Sequence, residues 1–93
     1  MKENNRKILI LGSPGVGKTY FSNRLSEKTN IKVYHLDDYY WRENWESLTE
    51  QEWKEVQLEI LSHDEFIVDG NYINSLSLRI KYTETIIYID STI

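Results

Sequence analysis

Ninety-three residues, 40% of them hydrophobic and 28% charged, have the size and composition of one soluble globular domain. No cysteine occurs, which excludes disulfide and thiolate–zinc frameworks and leads us to expect a reducing, cytoplasmic setting. A formal charge of −4 argues against a duplex-DNA surface, which needs a basic patch. No apolar run approaches the ~20 residues that span a bilayer, so no membrane partner is expected. The opening stretch, Met1 to Lys7, is polar and does not fit a signal peptide.

Residues 7–11 form the first predicted strand. Its continuous apolar run, Ile8-Leu9-Ile10-Leu11, fits a parallel strand covered on both faces. Gly12-Ser13-Pro14-Gly15-Val16-Gly17-Lys18-Thr19 follows and matches G-x-x-x-x-G-K-[ST] without a mismatch. Glycines allow the positive φ that turns backbone N–H groups inward. At a helix N-terminus such N–H groups make an anion nest, and the helix dipole favours negative charge there. This pattern predicts ATP with Mg²⁺, the nucleotide being held by Gly12 through Thr19 together with Tyr20. Lys18 would reach the β- and γ-phosphates, and the Thr19 hydroxyl would be a ligand of Mg²⁺. A helix is predicted over 18–28, with Phe21 and Leu25 inward and Asn23, Arg24, Glu27 and Lys28 outward. Asn30 breaks it.

The second strand is predicted over 31–36, ending at Asp37-Asp38. Tyr39 to Leu48 has no clear period and is expected to be loop or irregular helix. Thr49 and Glu52 make a capping box, with Leu48 and Trp53 spaced as a hydrophobic staple. Trp53, Val56, Ile60 and Leu61 continue the helical stripe to about Ser62. Phe66-Ile67-Val68 is the third strand, closed by Asp69-Gly70-Asn71. Asn74 is expected to cap a short helix through Ile80, with Leu76 and Ile80 inward. Thr85 to Ile89 is the fourth strand, followed by Asp90.

Strict alternation of strand and helix implies a parallel sheet with right-handed crossovers. Ligands of such sheets bind beyond the carboxyl ends of the strands. Those ends carry the phosphate loop, Asp37-Asp38, Asp69 and Asp90. Asp69 stands where an aspartate would hold Mg²⁺ near Thr19, or where a turn-forming Asp would precede glycine. Asp37 could address an acceptor hydroxyl, or belong with Asp38 to a capping pair. Tyr39, Tyr40, Trp41 and Trp45 could stack a planar substrate or form a satellite core. Arg79 reads equally as an anion contact or as a helix-face arginine. His35 reads as a core or edge histidine rather than a base, and His63 as a helix-end residue.

Val33-Tyr34-His35-Leu36-Asp37, Trp41, Trp45, Ile67-Val68-Asp69-Gly70-Asn71-Tyr72 and Leu78-Arg79 resemble the family of DNA topology modulation proteins. That family is similar to adenylate and shikimate kinases within the P-loop kinases. The resemblance covers nearly the whole chain. It implies a sheet order 2-3-1-4, with Asp69 matching the aspartate of the adenylate-kinase D-G motif. Asp37 would match a substrate-side aspartate; Trp41 and Arg79 are substrate candidates from the residue reading above. P-loop kinases of this type continue into a lid helix bearing arginines and a fifth strand, and the chain ends before these. The reading is a single P-loop domain over 1–93, an ATP-dependent kinase acting on a nucleoside, nucleotide or other small acceptor. A nucleotide-binding regulator without chemistry is the alternative, and a DNA-binding protein rests on the family's name alone. The sequence holds no N-K-x-D motif of GTPases. An incomplete sheet is expected to make the chain weakly stable or self-associating.

Overall fold

A computed structural model describes residues 6–13, 15–41 and 45–90. Four strands form one sheet: β1 (Lys7–Gly12), β2 (Val33–His35), β3 (Phe66–Asp69) and β4 (Thr85–Ile89). Their order is β2-β3-β1-β4 and every pairing is parallel, as expected. The helices are α1 (Lys18–Thr29), the single turn α2 (Asp37–Tyr40), α3 (Glu50–Leu61) and α4 (Leu76–Tyr82). A 3₁₀ turn, Ile73–Ser75, precedes α4. No helix among the described residues is long and apolar enough to cross a membrane.

The period-2 alternation of β1 divides the core between the two faces. Ile8 and Ile10 join Ile31 and Ile67 beneath α1, with Leu25 packed against them. Leu9 joins Phe66, Val68, Tyr34 and Leu36 on the opposite face, where α3 contributes Trp53, Ile60 and Leu61. β2 is shorter than the predicted 31–36, because Ile31 is buried in the core but lies outside the ladder. The chain leaves β1 through α1 on one face and leaves β3 through α4 on the other. A crevice therefore opens beyond the carboxyl ends of β1 and β3, where the direction of winding changes.

Local chemistry explains most of the element ends. The Thr49 Oγ1 accepts from the Glu52 amide at 3.2 Å, and the Thr49 amide donates to Glu52 Oε1 at 2.9 Å, completing the capping box. Asn30 takes the left-handed conformation and its amide closes α1 onto the Ser26 carbonyl. Three details differ from expectation. Phe21 is 38% exposed and Ser22 takes the buried place on α1. Asn74 lies within the 3₁₀ turn, and Ser75 is the residue at the start of α4. Ile80 is 44% exposed, and Arg79 is the buried residue of α4.

Candidate functional site

Gly15 and Gly17 adopt φ of 79° and 96°, conformations that favour glycine. A side chain at either would meet open space, so backbone geometry rather than crowding requires glycine there. Gly17 is also the residue that starts α1, and no side chain caps that helix. The first amides of α1 are thus left for a ligand, which is the arrangement an anion needs. Gly12 has a different reason. A Cβ there would stand 2.7 Å from the Ile89 carbonyl oxygen, so the β1–β4 approach requires the missing side chain.

A cavity of about 640 Å³ lies over this loop. Gly15, Gly17, Lys18 and Thr19 line it together with Asp37, Asp69, Gly70, Asn71 and Tyr72. The phosphate loop and both predicted aspartates therefore share one enclosure. Gly12, Ser13, Val16 and Tyr20 stand outside its lining. Tyr20 is 68% exposed and its hydroxyl accepts from Arg24 Nη1 at 3.1 Å. Pro14 lies outside the described residues.

Asp69 is 6% exposed. Its Oδ2 accepts from the Ser22 hydroxyl at 2.6 Å and faces His35 Nδ1 at 2.6 Å. The His35 Nε2 in turn meets Asn23 Oδ1 at 2.9 Å. Both partners use Oδ2, so the carboxylate is held in one orientation from the α1 side. His35 is an edge histidine, as expected, and also the orienter of Asp69. Asp37 is oriented from the other side, its Oδ1 accepting a hydrogen bond from the Tyr72 hydroxyl. Burial and that bond raise the Tyr72 phenol well above its usual range, so it remains a donor at neutral pH.

The hydroxyl of Thr19 and the carboxylate of Asp69 are hard oxygen donors among the residues that line this cavity. That donor set fits Mg²⁺, which takes one or two protein oxygens and completes its shell with phosphate and water. Among the described residues no group of three or more His, Cys, Asp or Glu could hold a metal by itself.

The roles of Asn71, Tyr72 and Arg79 are not legible in the motif spacing. Asn71 Nδ2 donates to the Gly12 carbonyl at 2.7 Å and its Oδ1 accepts from the Gly12 amide at 3.1 Å. Tyr72 holds Asp37. Arg79 is 0% exposed and so is neither an anion contact nor a helix-face residue. Its spacing of three from Leu76 on the inward stripe could have signalled that burial. Trp41 is 45% exposed and lines neither cavity described here. It packs edge-on against Tyr40 at 5.0 Å, and Trp45 lies 6.5 Å from it.

A larger cleft, about 870 Å³, opens between α3 and the 3₁₀ turn with α4. Tyr40, Trp53 and Tyr72 form its aromatic wall, with ring centroids 5.0 Å apart in each pair. Lys54 and Lys81 also line it. Tyr72 lines both cavities. The smaller cavity, not the larger, is the one lined by the loop glycines and both aspartates.

A scan against protein-family models matches none, and no curated protein shows significant similarity to the chain.

Proposed function

We propose that the chain is a P-loop kinase-like protein that binds ATP with Mg²⁺ and phosphorylates a small acceptor. One observation carries this reading: Lys18, Thr19, Asp37 and Asp69 line the same cavity at the carboxyl edge of a parallel sheet. In this reading Lys18 and the loop amides hold the phosphates and stabilise charge that develops on the transferring group. Thr19 and Asp69 hold the metal, and Asp37, set by Tyr72, meets the acceptor hydroxyl. The adjoining aromatic cleft gives the acceptor an entry beside Asp37, since Tyr72 belongs to both cavities. The resemblance to DNA topology modulation proteins and adenylate kinases agrees with this assignment.

A second reading, a nucleotide-binding regulator without turnover, is favoured by one feature. Lys18 is the single cation lining the phosphate-loop cavity among the described residues. Kinases add arginines to spread the charge of the transferring group.

Calorimetry of ATP·Mg²⁺ tests the shared premise. Lys18→Ala removes a charge-assisted contact of ~1.5–3 kcal/mol, so affinity should fall at least about tenfold. Equal affinity in both chains would remove the phosphate-loop assignment. Asp69→Asn should lower affinity more with Mg²⁺ than without, and equal losses would make Asp69 structural. Binding without label transfer from γ-labelled ATP to a nucleoside and nucleotide panel would favour the regulator.

A further inference from the structure

Arg79 is the largest fully buried side chain among the described residues, and no carboxylate there pairs with it. Its Nη1 donates to Gln57 Oε1 at 2.6 Å and to Ser75 Oγ at 3.0 Å. Its Nη2 reaches the carbonyls of Gly70 at 3.3 Å and Tyr72 at 3.5 Å, and that of Asn71 between them. Its Nε is buried without a partner. Burial lowers its pKa to about 10, which leaves it cationic at neutral pH. A charge held by neutral dipoles is a poor device for stability. A methionine would occupy similar space without the desolvation cost. What a guanidinium adds is a rigid fork that can gather several carbonyls at once.

The carbonyls it gathers belong to three consecutive residues, and the ends of that turn are also held by the Gly70 amide on the Ile10 carbonyl at 3.2 Å and the Ser75 amide on the Tyr72 carbonyl at 3.0 Å. Gly70 has φ of 147°, and a Cβ there would meet the Leu36 Cβ at 2.9 Å. Tyr72 sits at φ 33° and ψ 66°, a region that side-chain-bearing residues rarely occupy. Yet the side chains of this turn do the bracing around the phosphate loop: Asn71 holds Gly12 by two hydrogen bonds, and Tyr72 holds Asp37.

We propose that Arg79 is a positioning residue that sets the phosphate loop and Asp37 from behind, acting through the turn 70–72. Its buried charge makes the turn all-or-none, because releasing one carbonyl leaves the cation further unpaired. The positioning itself stands on these contacts, and only its effect on a ligand rests on the proposed phosphate site.

The test uses the full chain without ligand. Amide hydrogen exchange by NMR should show Gly12 exchanging at least about tenfold faster in Asn71→Ala, and by a similar factor in Arg79→Met. The amides of Leu9 and Val68, paired in the β1–β3 ladder, should stay within about twofold of wild type. Arg79→Lys keeps the charge but loses the fork, and should fall between wild type and Arg79→Met. If Arg79→Met does not fold, Arg79→Lys decides by the same amides. Unchanged Gly12 protection, or Gly12 and the ladder loosening together, overturns the proposal. A second arm titrates tripolyphosphate. Arg79→Lys and Asn71→Ala should each lose affinity, and the double variant should lose no more than the worse single one. Losses that multiply overturn action through Asn71. A wild-type chain that ignores tripolyphosphate removes the proposed function, and the exchange arm still decides the positioning.

Discussion

The two neighbours of β1 serve different ends. On the β3 side every residue of the strand is buried, and its terminal Asp69 is gripped by Ser22 and His35. On the β4 side the strand alternates between half-buried and exposed, and Ile86 and Tyr88 are 47% and 62% exposed. By register these two lie opposite Leu9 and Leu11, on the face that α3 and α4 cover farther along the sheet. Asp90 follows β4 as Asp69 follows β3, yet it is exposed and lines neither cavity. Delivering a carboxylate to the shared edge is therefore not enough to make a site residue. A carboxylate acts with most force where water is scarce and its orientation is fixed. The β3 side supplies both conditions, while the β4 side frames the loop.

Paired truncations would sharpen this contrast most. Phe66→Ala, at a position with 0% exposure, should cost ~3–5 kcal/mol in urea unfolding. Ile86→Ala should stay within ~0.5 kcal/mol if that side of the sheet is as open as it looks. Comparable losses would mean that Ile86 is covered in solution, for instance by a second copy, and sedimentation would then show a species larger than the monomer. Gly12→Ala tests the end of β1, since its Cβ would press on the Ile89 carbonyl and on Val16. A loss of ~1–3 kcal/mol is expected, read from the same urea curves.

A smaller effect than those of Phe66 and Gly12 belongs to Tyr72. Tyr72→Phe removes a hydrogen bond worth ~1 kcal/mol at pH 7. Because folding raises this phenol above the ordinary ~10, the folded state binds its proton more tightly. The contribution is fully present below pH ~10 and is lost as pH rises through the folded value. Wild type should thus lose its advantage over Tyr72→Phe in melts taken above pH ~10. Arg79 has the opposite sign, since burial lowers its folded value to about 10, and it titrates in both chains.

Much of this architecture is legible in the sequence because its signals are local. The strand order expected from the resemblance is the observed one, and the Thr49–Glu52 box forms with both of its bonds. Glycine spacing alone locates the positive-φ positions Gly15 and Gly17. What escaped depends on pairs distant in sequence. Hydrophobic periodicity pointed Phe21 inward, but the inward position on α1 belongs to Ser22, whose hydroxyl serves Asp69. Gln57 is 1% exposed on the α3 stripe because its carbonyl accepts from Arg79. Polar residues that satisfy one another inside a core break the apolar code, and no window of neighbouring residues contains both members of such a pair.

The hold of Asn71 on Gly12 carries a consequence for how the protein comes into being. The loop 12–19 is contiguous, but the amide and carbonyl at its head are satisfied by a residue 59 positions downstream. During synthesis the whole motif emerges from the ribosome well before its clamp does. Contacts that span such a separation form late, because loop closure is paid for before they reward it. A nascent chain that stops short of β3 carries every letter of the motif and lacks the rim of the cradle. Under the proposed function, phosphate capture would begin only once Asn71 is free to fold back, so that ligand binding would report completion of the sheet rather than synthesis of the motif.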